Sequence, residues 1–161
     1  MVDVQTVSIA VASASVVAGV IYYSLQIRHQ NLQTQHQNKI RETELVLRLY
    51  SIFGSKEHMD AWLEVMAIEA KDIDEFRSKY SGSSVNSAFG MVCAFYEEIG
   101  VLLHNGLIGI SLVDDLFSTD ILQIWEKIEH LVKEDRERLK RPQVWEWFEY
   151  LYNEMKKREQ K

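Results

Sequence analysis

The sequence predicts an all-α protein: an N-terminal transmembrane helix continuing into a stalk, followed by a small helical bundle. Three observations predict it. Val4 to Ile27 contains no charged residue. Beyond it, apolar residues recur at spacings of three and four, and no stretch alternates apolar and polar residues or joins two β-rich runs through an Asn-Gly turn. The composition is that of a folded chain, 47% hydrophobic and 26% charged with seven Gly and one Pro, which excludes collagen and wholesale disorder.

The first segment is long enough to span a membrane. At 1.5 Å per residue a helix over 4–27 measures about 36 Å, against a hydrocarbon core of about 30 Å. Its apolar drive comes from Val7, Ile9, Val11, Val16, Val17, Val20, Ile21, Leu25 and Ile27, diluted by Ala, Ser and Thr, which insert less favourably. A cleaved signal peptide would want a basic leader, where this chain has Asp3, and a cut near Ala12 or Ala14 would leave Val16 to Leu25 apolar. A soluble core helix would show a polar face, whereas small and apolar residues run all around this one. The expectation is an uncleaved single-pass anchor in the cell membrane. Arg28, Lys39 and Arg41 follow the span, with no Lys or Arg before it, which puts the N-terminus outside and the C-terminal domain in the cytoplasm. Tyr22 and Tyr23 suit the headgroup level at that end. Ala10, Ala14 and Ala18, four apart, are the candidate membrane-helix contact, since small residues let two backbones approach. The bland alternative is that Ala and Ser are merely frequent here.

The chain then divides into an anchor over 1–27, a stalk and first cytoplasmic helix over 28–54, and a helical bundle over 55–161. Residues 28–38 are polar and Gln-rich without Pro or Gly, so the membrane helix continues through them. His29 and His36 read as solvated stalk residues rather than as a dimer contact or a metal pair. Apolar periodicity resumes at Ile40, Leu45, Val46, Leu47, Leu49 and Ile52 and stops at Phe53-Gly54. Met59, Trp62, Leu63, Met66 and Ala70 define a helix face after Ser55. Asp72 to Tyr80 forms a short helix, and Ser81-Gly82-Ser83-Ser84 a loop. A longer helix from Val85 to His104 carries Ala88, Phe89, Val92, Phe95, Tyr96, Ile99, Leu102 and Leu103, and Asn105-Gly106 ends it. Ser111-Leu112-Val113-Asp114 has the form of a capping box for a brief helix. Another helix, Thr119 to Leu139, turns Ile121, Trp125, Ile128 and Val132 inward. Pro142 opens the last helix, whose core face is Val144, Trp145, Phe148, Leu151, Tyr152 and Met155.

The chemistry expected is sparse. A net charge of −6 offers no basic field for phosphates, so nucleic acid is not an expected partner. Cys93, the single cysteine, lies in an apolar run and reads as a structural thiol. There is no Gly-rich phosphate loop, dinucleotide fingerprint, Gly-x-Ser-x-Gly or Glu-x-x-His, and one Cys with five scattered His does not suit zinc. No catalytic residue, metal or cofactor is therefore assigned. Glu97 and Glu98 read as solvated. Asp135 and Arg136 fall near the stripe of Val132 and Leu139, where a charge must snorkel, pair or face a cavity, and they are the candidate buried ion pair or pocket. Trp147 and Tyr150 fall off the last helix's core face. Deeper burial in the same domain, a partner surface and the bilayer interface are the three readings of that pair.

Phe95-Tyr96-Glu97-Glu98-Ile99-Gly100, Leu102-Leu103, Gly106-Leu107-Ile108, Trp125-Glu126, Arg136, Trp145 and Phe148-Glu149 together resemble an uncharacterised prokaryotic family. Its members are small single-span membrane proteins with a helical domain of unknown function. The resemblance covers most of 1–155 in layout and implies this architecture, with no activity or catalytic residue to carry over. The function expected is that of a membrane-anchored interaction or scaffold protein, its partners the lipid bilayer, a second copy of itself or an unidentified protein. The alternative is a membrane-tethered enzyme or small-ligand sensor with a helix-lined pocket near Arg136.

Overall fold

The computed structural model describes residues 3–160, except for the side chains of 4–7 and 9–12. The described residues form six helices and no strand: α1 (Val4–Phe53), α2 (Lys56–Met66), α3 (Ile73–Tyr80), α4 (Ser84–His104), α5 (Ile110–Leu139) and α6 (Glu146–Glu159). The protein is all-α. Among the described residues no helix is long and apolar enough to cross a membrane, so the fold does not support the transmembrane part of the expectation. The reason lies in α1 itself. Its described part is diluted by Ser, Ala and Gln, while Val4, Val7, Ile9 and Val11 fall among the side chains that are not described.

The chain divides into two compact units between Thr43 and Glu44. In the first, every described side chain is exposed except half-buried Glu42. Ser24, Thr34 and Thr43 return their hydroxyls to the carbonyls of Val20, Gln30 and Lys39 at 2.8, 3.0 and 2.9 Å, so each is satisfied by its own helix.

The second unit holds the core. Its largest fully buried side chains are Trp125, Tyr96, Phe117 and Phe148, joined by Val46 and Leu49 from the end of α1. α4 packs on α2 and α6, and α5 packs on α6 and α3. Local chemistry sets the starts of three helices. The side chains of Ser55, Asp72 and Ser83 accept the N–H groups of His58, Glu75 and Asn86, the usual work of an N-cap. α4 ends as predicted, with Gly106 at φ 66°. The N–H of Leu107 bonds the carbonyl of Leu102 at 2.9 Å and that of Gly106 bonds Leu103 at 3.0 Å, which consumes two otherwise orphaned carbonyls.

Three predicted elements are corrected. The brief helix after Ser111 and the helix from Thr119 are one, α5, because no Gly or Pro interrupts 110–139; its N-cap is Gly109, not Ser111. The last helix begins at Glu146 rather than at Pro142. Residues 141–145 are instead held as a turn, with Arg136 Nε donating to the Val144 carbonyl at 2.7 Å. α2 buries His58, Ala61 and Val65, leaving Met59 and Leu63 exposed. The competing apolar stripe lies one residue out of phase, and periodicity alone does not place a histidine inside.

Candidate functional site

Two clefts and one helix seam concentrate the polar groups of the second unit. The seam joins α4 to α6. Glu97, expected to be solvated, is half-buried, and its carboxylate accepts the Phe148 N–H at 2.8 Å. α6 has no side-chain cap of its own, so a residue of α4 supplies one. Burial raises the Glu97 pKa, opposed by the N–H groups of Phe148 and Trp147. One turn further on, a Cβ at Gly100 would fall 2.1 Å from the Trp147 carbonyl oxygen, so the two backbones touch there and only glycine fits. Trp147 and Tyr150 are both half-buried at this seam. They gather around His104, with ring centroids 4.3 and 5.5 Å away.

Asp135 and Arg136 face different partners. Arg136, its side chain 14% exposed, pairs with Glu149 on α6 in addition to holding Val144. Its Nη2 is buried without a hydrogen-bond partner. Asp135 accepts from Arg77 on α3 and from Arg138, both at 3.0 Å. That carboxylate stands at the edge of the larger cleft, about 350 Å³, whose walls include Phe76, Phe89, Leu131 and Trp145. Gly90 also lines it, and a Cβ there would meet nothing within 4 Å. The volume falls within the range of about 300–1,000 Å³ usual for small-molecule pockets.

The second cleft, about 70 Å³, is lined by Phe53 of α1, His58, Met59 and Trp62 of α2, and Asp120 of α5. His58 is 2% exposed. Its ring packs among Phe53, Phe95 and Tyr96 at centroid distances of 5.7, 4.5 and 6.3 Å. Both of its ring nitrogens lack a hydrogen-bond partner, as do the Trp62 indole nitrogen and the Tyr96 hydroxyl. Burial lowers the His58 pKa and raises those of Asp120 and Tyr96, in each case by penalising the charged form. None of these residues was singled out for its chemistry from the sequence. The available signal was an acidic residue directly before Ile121 on a helix with an otherwise apolar stripe.

On α1, Ala14 and Ala18 are exposed and a Cβ at Gly19 would meet nothing within 4 Å, while the side chain of Ala10 lies outside the described residues. Cys93 is fully buried, and burial pushes its thiol pKa far up, as an inert structural thiol requires. Among the described residues no three His, Cys, Asp or Glu side chains gather to hold a metal ion.

Residues 9–155 match the family model of a domain of unknown function, DUF4760. The chain belongs to that family. The match takes in both units and every site described above. No curated protein and no solved structure matches the chain.

Proposed function

We propose that this DUF4760 protein is a membrane-anchored helical interaction protein, with α1 lodged in the bilayer over 4–27 and the domain after it in the cytoplasm. One observation carries the reading. Val16, Val17, Val20, Ile21, Tyr22, Tyr23, Leu25 and Ile27 are each between 50 and 68% exposed on α1. An isolated helix with large apolar side chains on every side must find lipid or another helix to cover them. The reading also draws on Val4, Val7, Ile9 and Val11, whose side chains are not described, to complete a span of about 20 residues. Ser24 fits, because its hydroxyl is already bonded to Val20 and needs no water. Arg28, Lys39 and Arg41 beyond the span give the orientation. The partners proposed are the bilayer, a second copy through the Ala14 and Ala18 face, and a protein docking on the second unit.

The test is alkaline carbonate extraction of membranes from cells making the full chain. Retention in the pellet is expected, and release into the supernatant overturns the anchor. Orientation is read separately, in a chain whose Cys93 is replaced, by labelling Asp3→Cys and Gln160→Cys from outside intact cells. Position 3 should react and position 160 should not. A second reading, a ligand-sensing domain, is favoured by the 350 Å³ cleft at Asp135. Saturable binding of a small molecule lost in Gly90→Leu would establish it.

A further inference from the structure

Independently of the anchor, we infer that the cleft between Phe53, His58, Trp62 and Asp120 binds a small ammonium cation that also carries a hydrogen-bond acceptor. A simple amino alcohol has that chemistry.

Four features point to this class of ligand. The first is an unneutralised carboxylate. Four other acidic groups on α5 take cations, Asp114 from Arg158, Glu126 from Lys156, Glu129 from Lys133, and Asp135 from Arg77 and Arg138, while Glu134 accepts the Ile73 N–H and Asp115 and Glu137 are exposed to water. Asp120, half-buried, takes none among the described residues and faces aromatic rings instead. A carboxylate withdrawn from water is stabilised by a positive charge beside it. Second, the walls are Phe53 and Trp62, and aromatic faces attract a desolvated cation. Third, His58 brings no competing charge, since burial holds its ring toward the neutral form. Fourth, the Trp62 indole N–H and the His58 ring lack partners among the described residues, so a hydroxyl or carbonyl oxygen two or three bonds from the ammonium would satisfy them. Size agrees with this. At about 10–15 Å³ per water-sized atom, a cavity of about 70 Å³ holds about five non-hydrogen atoms.

The experiment is calorimetric titration of the full chain with ethanolamine, with 1-propanol as its neutral isostere, and with ethylamine, which lacks the oxygen. Ethanolamine should bind more tightly than either, and the indole N–H resonance of Trp62 should shift on binding. Asp120→Asn, nearly isosteric, should weaken ethanolamine about tenfold or more and leave the thermal midpoint unchanged or higher. Trp62→Phe, which keeps an aromatic wall and removes the donor, should lower the preference for ethanolamine over ethylamine. Glycerophosphoethanolamine identifies the source: tighter binding than ethanolamine assigns a lipid headgroup, weaker binding a free amine. Equal affinity for ethanolamine and 1-propanol, undiminished affinity in Asp120→Asn, or no binding by the unaltered chain overturns the inference.

Discussion

The Glu97 carboxylate accepts the backbone N–H of Phe148 at 2.8 Å across a gap of 51 residues, capping a helix that has no side-chain cap of its own. α6 opens on Trp145 in the left-handed region, φ 55°, so the chain enters the helix from a turn that leaves its first N–H groups pointing at α4. The seam between α4 and α6 is therefore fixed by a polar contact as well as by the burial of Phe148, Leu151 and Met155.

The burial of Glu97 in that seam has a pH signature. Burial raises the folded Glu97 pKa above its unfolded value, so the folded state holds the proton more tightly. The contribution to stability is present in full below the unfolded pKa and is lost as pH rises through the folded one. Glu97→Gln keeps an acceptor and should cost little at neutral pH while flattening this acid-side dependence. Glu97→Ala leaves the Phe148 N–H orphaned and should cost about 1–2 kcal/mol. Urea unfolding of the three chains across the acid range measures both effects, and equal slopes with pH for wild type and Glu97→Gln would dismiss the linkage.

Two glycines of α4 should respond in opposite directions to the same substitution. Gly100→Ala drives a Cβ to 2.1 Å from the Trp147 carbonyl, which the backbone can relieve only by opening the seam. A loss of about 1–3 kcal/mol or more is expected. Gly90→Ala meets nothing within 4 Å and should stabilise by about 0.5–1 kcal/mol, the helix-propensity difference. Thermal melts of the two variants decide it: an undiminished midpoint in Gly100→Ala would contradict the close approach at the seam, and a lowered one in Gly90→Ala would contradict the open space at that position.

The same pair shows how far the sequence carried. Helix periodicity found α3 and α4 closely, and Asn105-Gly106 marked a helix end because a positive φ there is a local requirement. Gly90 and Gly100 look alike in sequence, and only the packing of α6 separates them. Glu97 was misread for the same reason. Its angle on α4 points away from the apolar stripe, but the start of α6 arrives there from 51 residues on. Pro142 suggested a helix start, yet the turn is dictated by Arg136 reaching Val144, a contact with no local signature. His58 and Asp120 lie on different helices, so no spacing rule could join them.

His58 should make the protein acid-sensitive in its own way. Burial lowers its folded pKa below the ordinary 6.5, so the unfolded chain takes up the proton more readily. The stability this histidine permits is present above the unfolded pKa and is lost as pH falls through the folded one. His58→Leu removes two unpartnered ring nitrogens and should be neutral to stabilising at neutral pH, with its advantage over wild type growing below about pH 6.5. Unfolding midpoints measured on both sides of that pH check it, and an advantage that shrinks on acidification would contradict the argument.

Arg136 ties α5 to both the turn and α6, through the Val144 carbonyl and Glu149. Arg136→Met keeps much of the apolar stem but strands Glu149 and the carbonyl, and should cost about 1–3 kcal/mol. Adding Glu149→Gln should recover part of that loss, because the unpaired charge is then gone. A double-mutant cycle by chemical denaturation measures the coupling, and strict additivity would mean that the pair contributes nothing beyond its separate packing.

The last prediction concerns self-association through α1. Ala14 and Ala18 stand one helical turn apart and exposed, next to a glycine whose missing side chain faces open space. In a bilayer, apolar side chains gain nothing by leaving lipid for one another, so helix association depends on backbones coming close enough for extra van der Waals contact. A bulky branched side chain in the middle of the small face blocks that approach without lowering apolarity. Ala14→Ile should therefore leave membrane retention intact and shift the full chain in detergent toward monomer, whereas Val16→Ile, on the opposite side of the helix, should change neither. The measurement is native mass or sedimentation of the three chains at matched detergent. An association state unaffected by Ala14→Ile would mean that copies meet elsewhere, with the half-buried rings of Trp147 and Tyr150 beside His104 the next surface to alter.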